Sequence, residues 1–251
     1  MPYRRRVQVK KPQEFIEIET LSEKILKGFR ERKTPLLILL GGILLFGIAA
    51  SGYIFFSGRS EKKAEDMEFS AYSEYTKRSQ MSGTERDKQT RLVIDQYQKI
   101  LTAYPKTKTA GIASFYLGNA FIDVKDFDKG IESYQKALTS LSLGEMMRGI
   151  IHLRLGYAFL SKNDRESALS EFAQVAKNPL TRNQDFASYE MGKIYESQGK
   201  KSEALSEYES LIKSYPSSPL VGEISSRISE LKGPPPAIAL PGTAVPGVPA
   251  Q

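Results

Sequence analysis

The sequence predicts an all-α fold, in which an N-terminal single transmembrane helix is followed by a solenoid of helical hairpins, and three observations carry that prediction. An uncharged run of 21 residues, "LLILLGGILLFGIAASGYIFF", extends from Leu36 to Phe56. Three later segments repeat one pattern, an apolar residue and a glycine followed by aromatic and small residues at fixed offsets, and their glycines lie 38 and 36 residues apart. Polar clusters such as "SKND" and "ESQGK" break the helical apolar period between the halves of these segments.

The first element is the basic segment 1–34. It holds ten Lys and Arg against five Glu, and so contributes +5 of the net charge of +7. Within it, Thr20 and Glu23 form a capping box, and Leu21, Ile25, Leu26 and Phe29 share one helical face ringed by Lys24, Lys27, Arg30, Arg32 and Lys33. Such a short helix suits anionic lipid headgroups or a solvated juxtamembrane linker. The rest of the chain carries 26 basic and 24 acidic residues, a near-neutral mixture without the single-sign stripe that a nucleic-acid backbone requires.

The second element, 35–57, is the predicted transmembrane helix. At about 1.5 Å per residue the uncharged run crosses a hydrocarbon layer of roughly 30 Å. A cleaved signal peptide, whose apolar region is about 7–15 residues and nearer the N-terminus, fits less well. Gly47 and Ser51 make one small-residue pair four apart, short of a repeated dimerisation pattern. Basic residues dominate before the run, whereas Arg59, Lys62 and Lys63 after it are mixed with Glu61, Glu65 and Asp66. The positive-inside rule therefore keeps 1–34 in the cytoplasm and exports everything after Gly58.

The third element, 58–232, is the repeat domain. "LGNAFIDVKDFDKGIESYQKAL" places Leu117, Gly118, Phe121, Gly130, Tyr134 and Ala137. Leu155, Gly156, Phe159, Ala168 and Phe172 keep the same offsets, as do Met191, Gly192, Tyr195, Ala204, Tyr208 and Leu211. Small residues let the two helices of a hairpin approach, and aromatics fill the space between helices packed ridges into grooves.

This pattern resembles the tetratricopeptide repeat, and Pro105 and Pro216 match its closing proline. Ser142 and Leu180 stand where that proline is missing, and Ser114, His152 and Ser188 replace its tryptophan. A degenerate fourth hairpin, with helices near 62–80 and 85–103, precedes the three, and a single capping helix follows Pro216. The whole layout is similar to the YfgM family of bacterial inner-membrane proteins, ancillary to the SecYEG translocon, over most of residues 15–215. That resemblance implies a single-pass protein with a cytoplasmic N-terminus and periplasmic repeats. Its implied partners are the SecYEG translocon, periplasmic chaperones or exported clients, together with membrane lipid through the span.

The last element, 233–251, is an uncharged proline-rich tail expected to be disordered or polyproline-like. If it reaches toward the wall, the alternative function is a structural tether or assembly scaffold in a cell-envelope or motility complex.

No catalytic constellation is predicted, and neither a cofactor nor a metal site. With Cys absent there is no disulfide framework, thiolate site or cysteine nucleophile, and His152 is the single histidine. What the resemblance implies instead is a concave protein-binding face lined by the first helix of each hairpin. It would present Phe115, Asn119 and Ile122, then Leu153, Tyr157 and Leu160, then Tyr189, Lys193 and Glu196. With Lys193 as its one cation, that face suits an extended or helical peptide held through side-chain pockets. The same spacing also serves packing between repeats.

Overall fold

The computed structural model describes residues 20–31, 33–140 and 142–233. The basic stretch before Thr20, the side chains of Leu21, Ile25, Leu26 and Phe29, and the proline-rich tail lie outside the described residues. The chain divides into two units, Met1–Phe56 and Ser57–Gln251.

In the first unit, α1 (Leu21–Glu31) begins where the Thr20 backbone N–H donates to Glu23 Oε2 at 2.9 Å, one half of the expected capping box. α2 (Lys33–Lys77) follows. Its apolar residues are bare, with Leu37 at 67 %, Phe46 at 77 % and Phe56 at 68 % exposure. Among the described residues α2 is the one helix long and apolar enough to cross a membrane. The composition boundary at 57/58 is not a helix end.

The second unit is an all-helical solenoid. It contains the end of α2, a 3-10 turn at Arg78–Gln80, and α3 (Gly83–Ala103). Three hairpins follow, α4 (Thr109–Asp123) with α5 (Phe127–Leu138), α6 (Glu145–Ser161) with α7 (Arg165–Lys177), and α8 (Gln184–Ser197) with α9 (Lys201–Ser214). α10 (Val221–Lys232) ends the stack by burying Ile224 against Tyr208 and Leu211. The degenerate first hairpin of the sequence reading is thus the end of α2 against α3, where Ala64 and Ala71 pack with Val93, Tyr97 and Ile100.

The repeated residues explain the repeated geometry. Each glycine of the register lies against the aromatic ring sixteen residues later, Gly118 on Tyr134, Gly156 on Phe172 and Gly192 on Tyr208. Those rings are at most 1 % exposed. Each hairpin then turns through one residue of positive φ, namely Lys125 (62°), Asn163 (61°) and Gly199 (72°). The next residue closes the preceding helix by the same long backbone bond, Asp126 N–H to Phe121 O, Asp164 N–H to Phe159 O and Lys200 N–H to Tyr195 O, each 2.9 Å. Asp126 and Asp164 go on to cap α5 and α7, accepting from Lys129 N–H at 3.3 Å and Ser167 N–H at 3.1 Å.

Neighbouring repeats are tied by polar contacts as well as by core. Ser142 Oγ donates to Lys108 O (3.2 Å), Asn178 Nδ2 to Glu145 Oε2 (2.8 Å) and Ser218 Oγ to Asp185 Oδ2 (2.6 Å). At the front of the stack, Glu61 on α2 accepts from Lys108 N–H (2.7 Å), Thr109 N–H (2.9 Å) and the Thr109 hydroxyl (2.7 Å), which satisfies donors at the start of α4.

Candidate functional site

The nine residues expected on the concave face divide into three groups. Phe115 and Tyr189, each 7 % exposed, belong to the core between hairpins, Phe115 beside Tyr134 and Ile151, and Tyr189 beside Tyr208 and Ile224. Leu153 and Leu160 are half-buried against the Phe172 and Met191 cluster. These four pack between repeats.

Asn119, Ile122 and Tyr157 come together. They line one cleft of about 260 Å3, with Tyr75 from α2, Asp123 at the end of α4, and Arg154 and Ala158 from α6. Lys193 and Glu196 lie farther along the stack and are already engaged. Lys193 Nζ pairs with Glu190 at 3.1 Å, while Glu196 accepts from Tyr208 Oη at 2.9 Å and from Arg227 at 3.1 Å.

The polar groups of the cleft are set by their neighbours. Tyr134, 1 % exposed, donates its hydroxyl to Asn119 Oδ1 at 2.7 Å. That bond assigns the amide, leaving the Asn119 NH2 as the donor available to the cleft. Asp123 is held by Arg78 and lies 4.0 Å from Arg86, and Arg78 in turn stacks 3.6 Å from the Tyr75 ring centre. The Tyr157 hydroxyl lies 3.4 Å from Glu190 Oε1, and its pKa is pushed up to about 12, first by burial and then by the Glu190 charge. It stays a neutral donor. Arg154 is exposed and has no ion pair or hydrogen bond among the described residues.

The cleft therefore offers the Arg154 guanidinium and the Asn119 amide as free donors, beside the apolar surface of Ile122 and Ala158. It can hold carbonyl or carboxylate oxygens together with a small apolar side chain. No nucleophile and base pair lies in it, and among the described residues no group of three or more potential metal ligands occurs. His152 sits elsewhere, its Nδ1 2.7 Å from Glu171 Oε2.

Sequence reasoning missed Tyr75, Asp123 and Arg154. Arg154 directly precedes the Leu155-Gly156 pair of the register, so its place on the first helix was available, but its lack of a partner was not. The expectation that Lys193 would be the available cation is replaced by Arg154, because Glu190, three residues before Lys193, neutralises it.

A family model for the tetratricopeptide repeat-like domain matches residues 34–231. The chain belongs to that family. No curated protein matches it. Among solved structures, the tetratricopeptide repeat-like chain is similar to the MamA protein, with 20 % identity over 70 % of this chain and 87 % of that one and a TM-score of 0.47. A putative kinesin light chain with nearly identical repeats, from Podospora anserina, aligns at 12 % identity over 64 % of this chain and 84 % of that one, TM-score 0.49. YrrB, a repeat protein with an unusual peptide-binding site, aligns at 18 % identity over 57 % and 73 %, TM-score 0.42.

Proposed function

We propose that this tetratricopeptide repeat-like protein is anchored in a bacterial inner membrane by Leu36–Phe56 and uses its repeats, on the periplasmic side, to dock extended segments of other proteins beside the SecYEG translocon. Exported clients and periplasmic chaperones are the partners of this reading. The membrane part is supported by the bare apolar stretch of α2 and by the excess of basic residues before it. Resemblance to the YfgM family supports the translocon.

The docking part rests on one observation, the cleft between Asn119 and Tyr157 in which Arg154 has no partner. An extended peptide presents backbone carbonyls that accept from donors of this kind, and a side chain fits beside Ile122 and Ala158. Because Asp123 is neutralised by Arg78, the cleft favours acidic or carbonyl-rich segments over basic ones.

Crosslinking in intact membranes, followed by purification through the repeat domain, tests the reading. It should recover translocon subunits or periplasmic chaperones, and Arg154→Glu should remove them. Recovery of neither class contradicts the translocon role, and protection of the repeats from protease on the outer side of spheroplasts contradicts the orientation.

A further inference from the structure

A second cleft, separate from the groove, lies where α3 gives way to α4 and where α5 ends. It is an open cleft of about 490 Å3. That falls within the range of roughly 300–1,000 Å3 typical of small-ligand sites. Lys106, Lys108 and Lys136 line it, and none of them forms an ion pair among the described residues. The carboxylate that reaches this end of α4, Glu61, is taken up by Lys108 N–H, Thr109 N–H and the Thr109 hydroxyl.

The hydroxyls separate into used and unused. Thr107 donates to Tyr104 O, Thr139 to Lys136 O and Ser142 to Lys108 O. Ser114 does not. It is 2 % exposed, lines the cleft, and makes no hydrogen bond, whereas Ser133 on the neighbouring helix returns its hydroxyl to Lys129 O at 2.7 Å in the usual helical manner. The Ser114 hydroxyl is not sealed from solvent, so it is available to a group bound in the cleft.

The donors open to the cleft are thus the Lys106 and Lys136 ammonium groups and the Ser114 hydroxyl, with the Lys108 ammonium beside them, whose charge also acts on Glu61. A ligand that satisfies them needs several acceptor oxygens and more than one negative charge. A phosphate ester has both, carrying about 1.5 to 2 charges as a monoester at neutral pH. Lysines bind phosphate as point charges, without the planar fork that arginine offers a carboxylate. We propose that this cleft binds a phosphate ester through Lys106, Lys108, Lys136 and Ser114. The ester comes either from a soluble metabolite or from a phospholipid headgroup. The proposal stands apart from the groove, and only its lipid source rests on the membrane reading.

The full chain in a neutral maltoside detergent serves for the test. Glycerol 3-phosphate is titrated by calorimetry, and retained phosphatidylglycerol is counted by native mass spectrometry. One of the two probes should bind, and which one identifies the source. The Lys106→Gln, Lys108→Gln, Lys136→Gln triple variant should bind it about tenfold more weakly, as expected for the loss of three partly screened charges. Ser114→Ala should bind it roughly threefold more weakly, as for one lost hydrogen bond. If the triple variant does not fold, Lys136→Gln alone, on an exposed face of α5, should still weaken binding about twofold. Binding of neither probe overturns the proposal. So does equal binding by wild type and the lysine variants, and so does an effect of the lysines with none from Ser114→Ala, which would mark a charged surface and not a built site.

Discussion

Gly156 lies flat against the ring of Phe172, so close that a methyl group on its α-carbon would sit 2.5 Å from ring carbon Cε1. Gly118 meets Tyr134 in the same way, again with 2.5 Å between such a methyl group and the ring. The glycine of the repeat is therefore the floor on which the aromatic of the second helix rests. Gly156→Ala should lower the melting midpoint of the chain, although alanine is the better helix former. Forcing the Phe172 ring aside costs about 1–3 kcal/mol, against about 1 kcal/mol gained in propensity. Combined with Phe172→Leu, the loss should be smaller than the sum of the two single losses. Circular dichroism melting of the four proteins provides the check.

The hairpin turn yields a change in the opposite direction. Lys125 carries a φ of 62° at the position that Gly199 fills with 72°. A side chain there costs roughly 1 kcal/mol. Lys125→Gly should raise the melting midpoint, and Gly199→Val should lower it. Asn163→Gly should gain less than Lys125→Gly, since asparagine tolerates this backbone conformation.

Glu61 makes stability depend on acid. Burial raises its pKa, but the hydrogen bonds from the Thr109 hydroxyl and from the Lys108 and Thr109 backbones outweigh that effect, and the folded-state pKa lies below the ordinary carboxylate value. With the folded pKa depressed, the contribution is complete above the ordinary value and is lost as pH falls through the folded one. Glu61→Ala should cost roughly 1 kcal/mol at neutral pH, as for a lost helix cap. The gap between wild-type and variant melting midpoints should close as the solution is acidified below the carboxylate range.

How much of this was legible in the sequence depends on whether a property belongs to one residue or to a pair. The hairpin register was legible because Gly118, Gly156 and Gly192 each bring their own aromatic sixteen residues later. The turn was legible at Gly199 and hidden at Lys125, whose residue type gives no sign of a positive φ. The continuity of α2 was hidden because composition changes at Ser57 while the helical conformation does not. In the groove, Phe115 and Asn119 sit one helical turn apart on α4, yet the first is core and the second lines the cleft. That difference is decided by α5 and α6 packing across, which local spacing does not encode. The availability of a cation was hidden for the same reason, since Glu190 takes Lys193 and nothing takes Arg154.

Charge reversal in the groove should separate binding from folding. Arg154 is exposed and unpaired, so Arg154→Glu should leave the unfolding free energy within about 0.5 kcal/mol of wild type, the usual range for surface changes. Capture of partners from solubilised membranes should fall sharply. Lys193→Glu should be the less damaging to capture of the two, because Lys193 already spends its charge on Glu190.

The central claim is that the first helices of the stack form a docking face for other proteins, and site-specific photocrosslinking in living cells tests it most directly. A photoreactive amino acid at Arg154 or Ile122, in the cleft, is compared with one at Gln135 or Ser170, exposed on α5 and α7. Discrete adducts with other proteins from the cleft positions, and not from α5 or α7, are the predicted result. Equal labelling from both faces, or adducts from α5 and α7 alone, would contradict it.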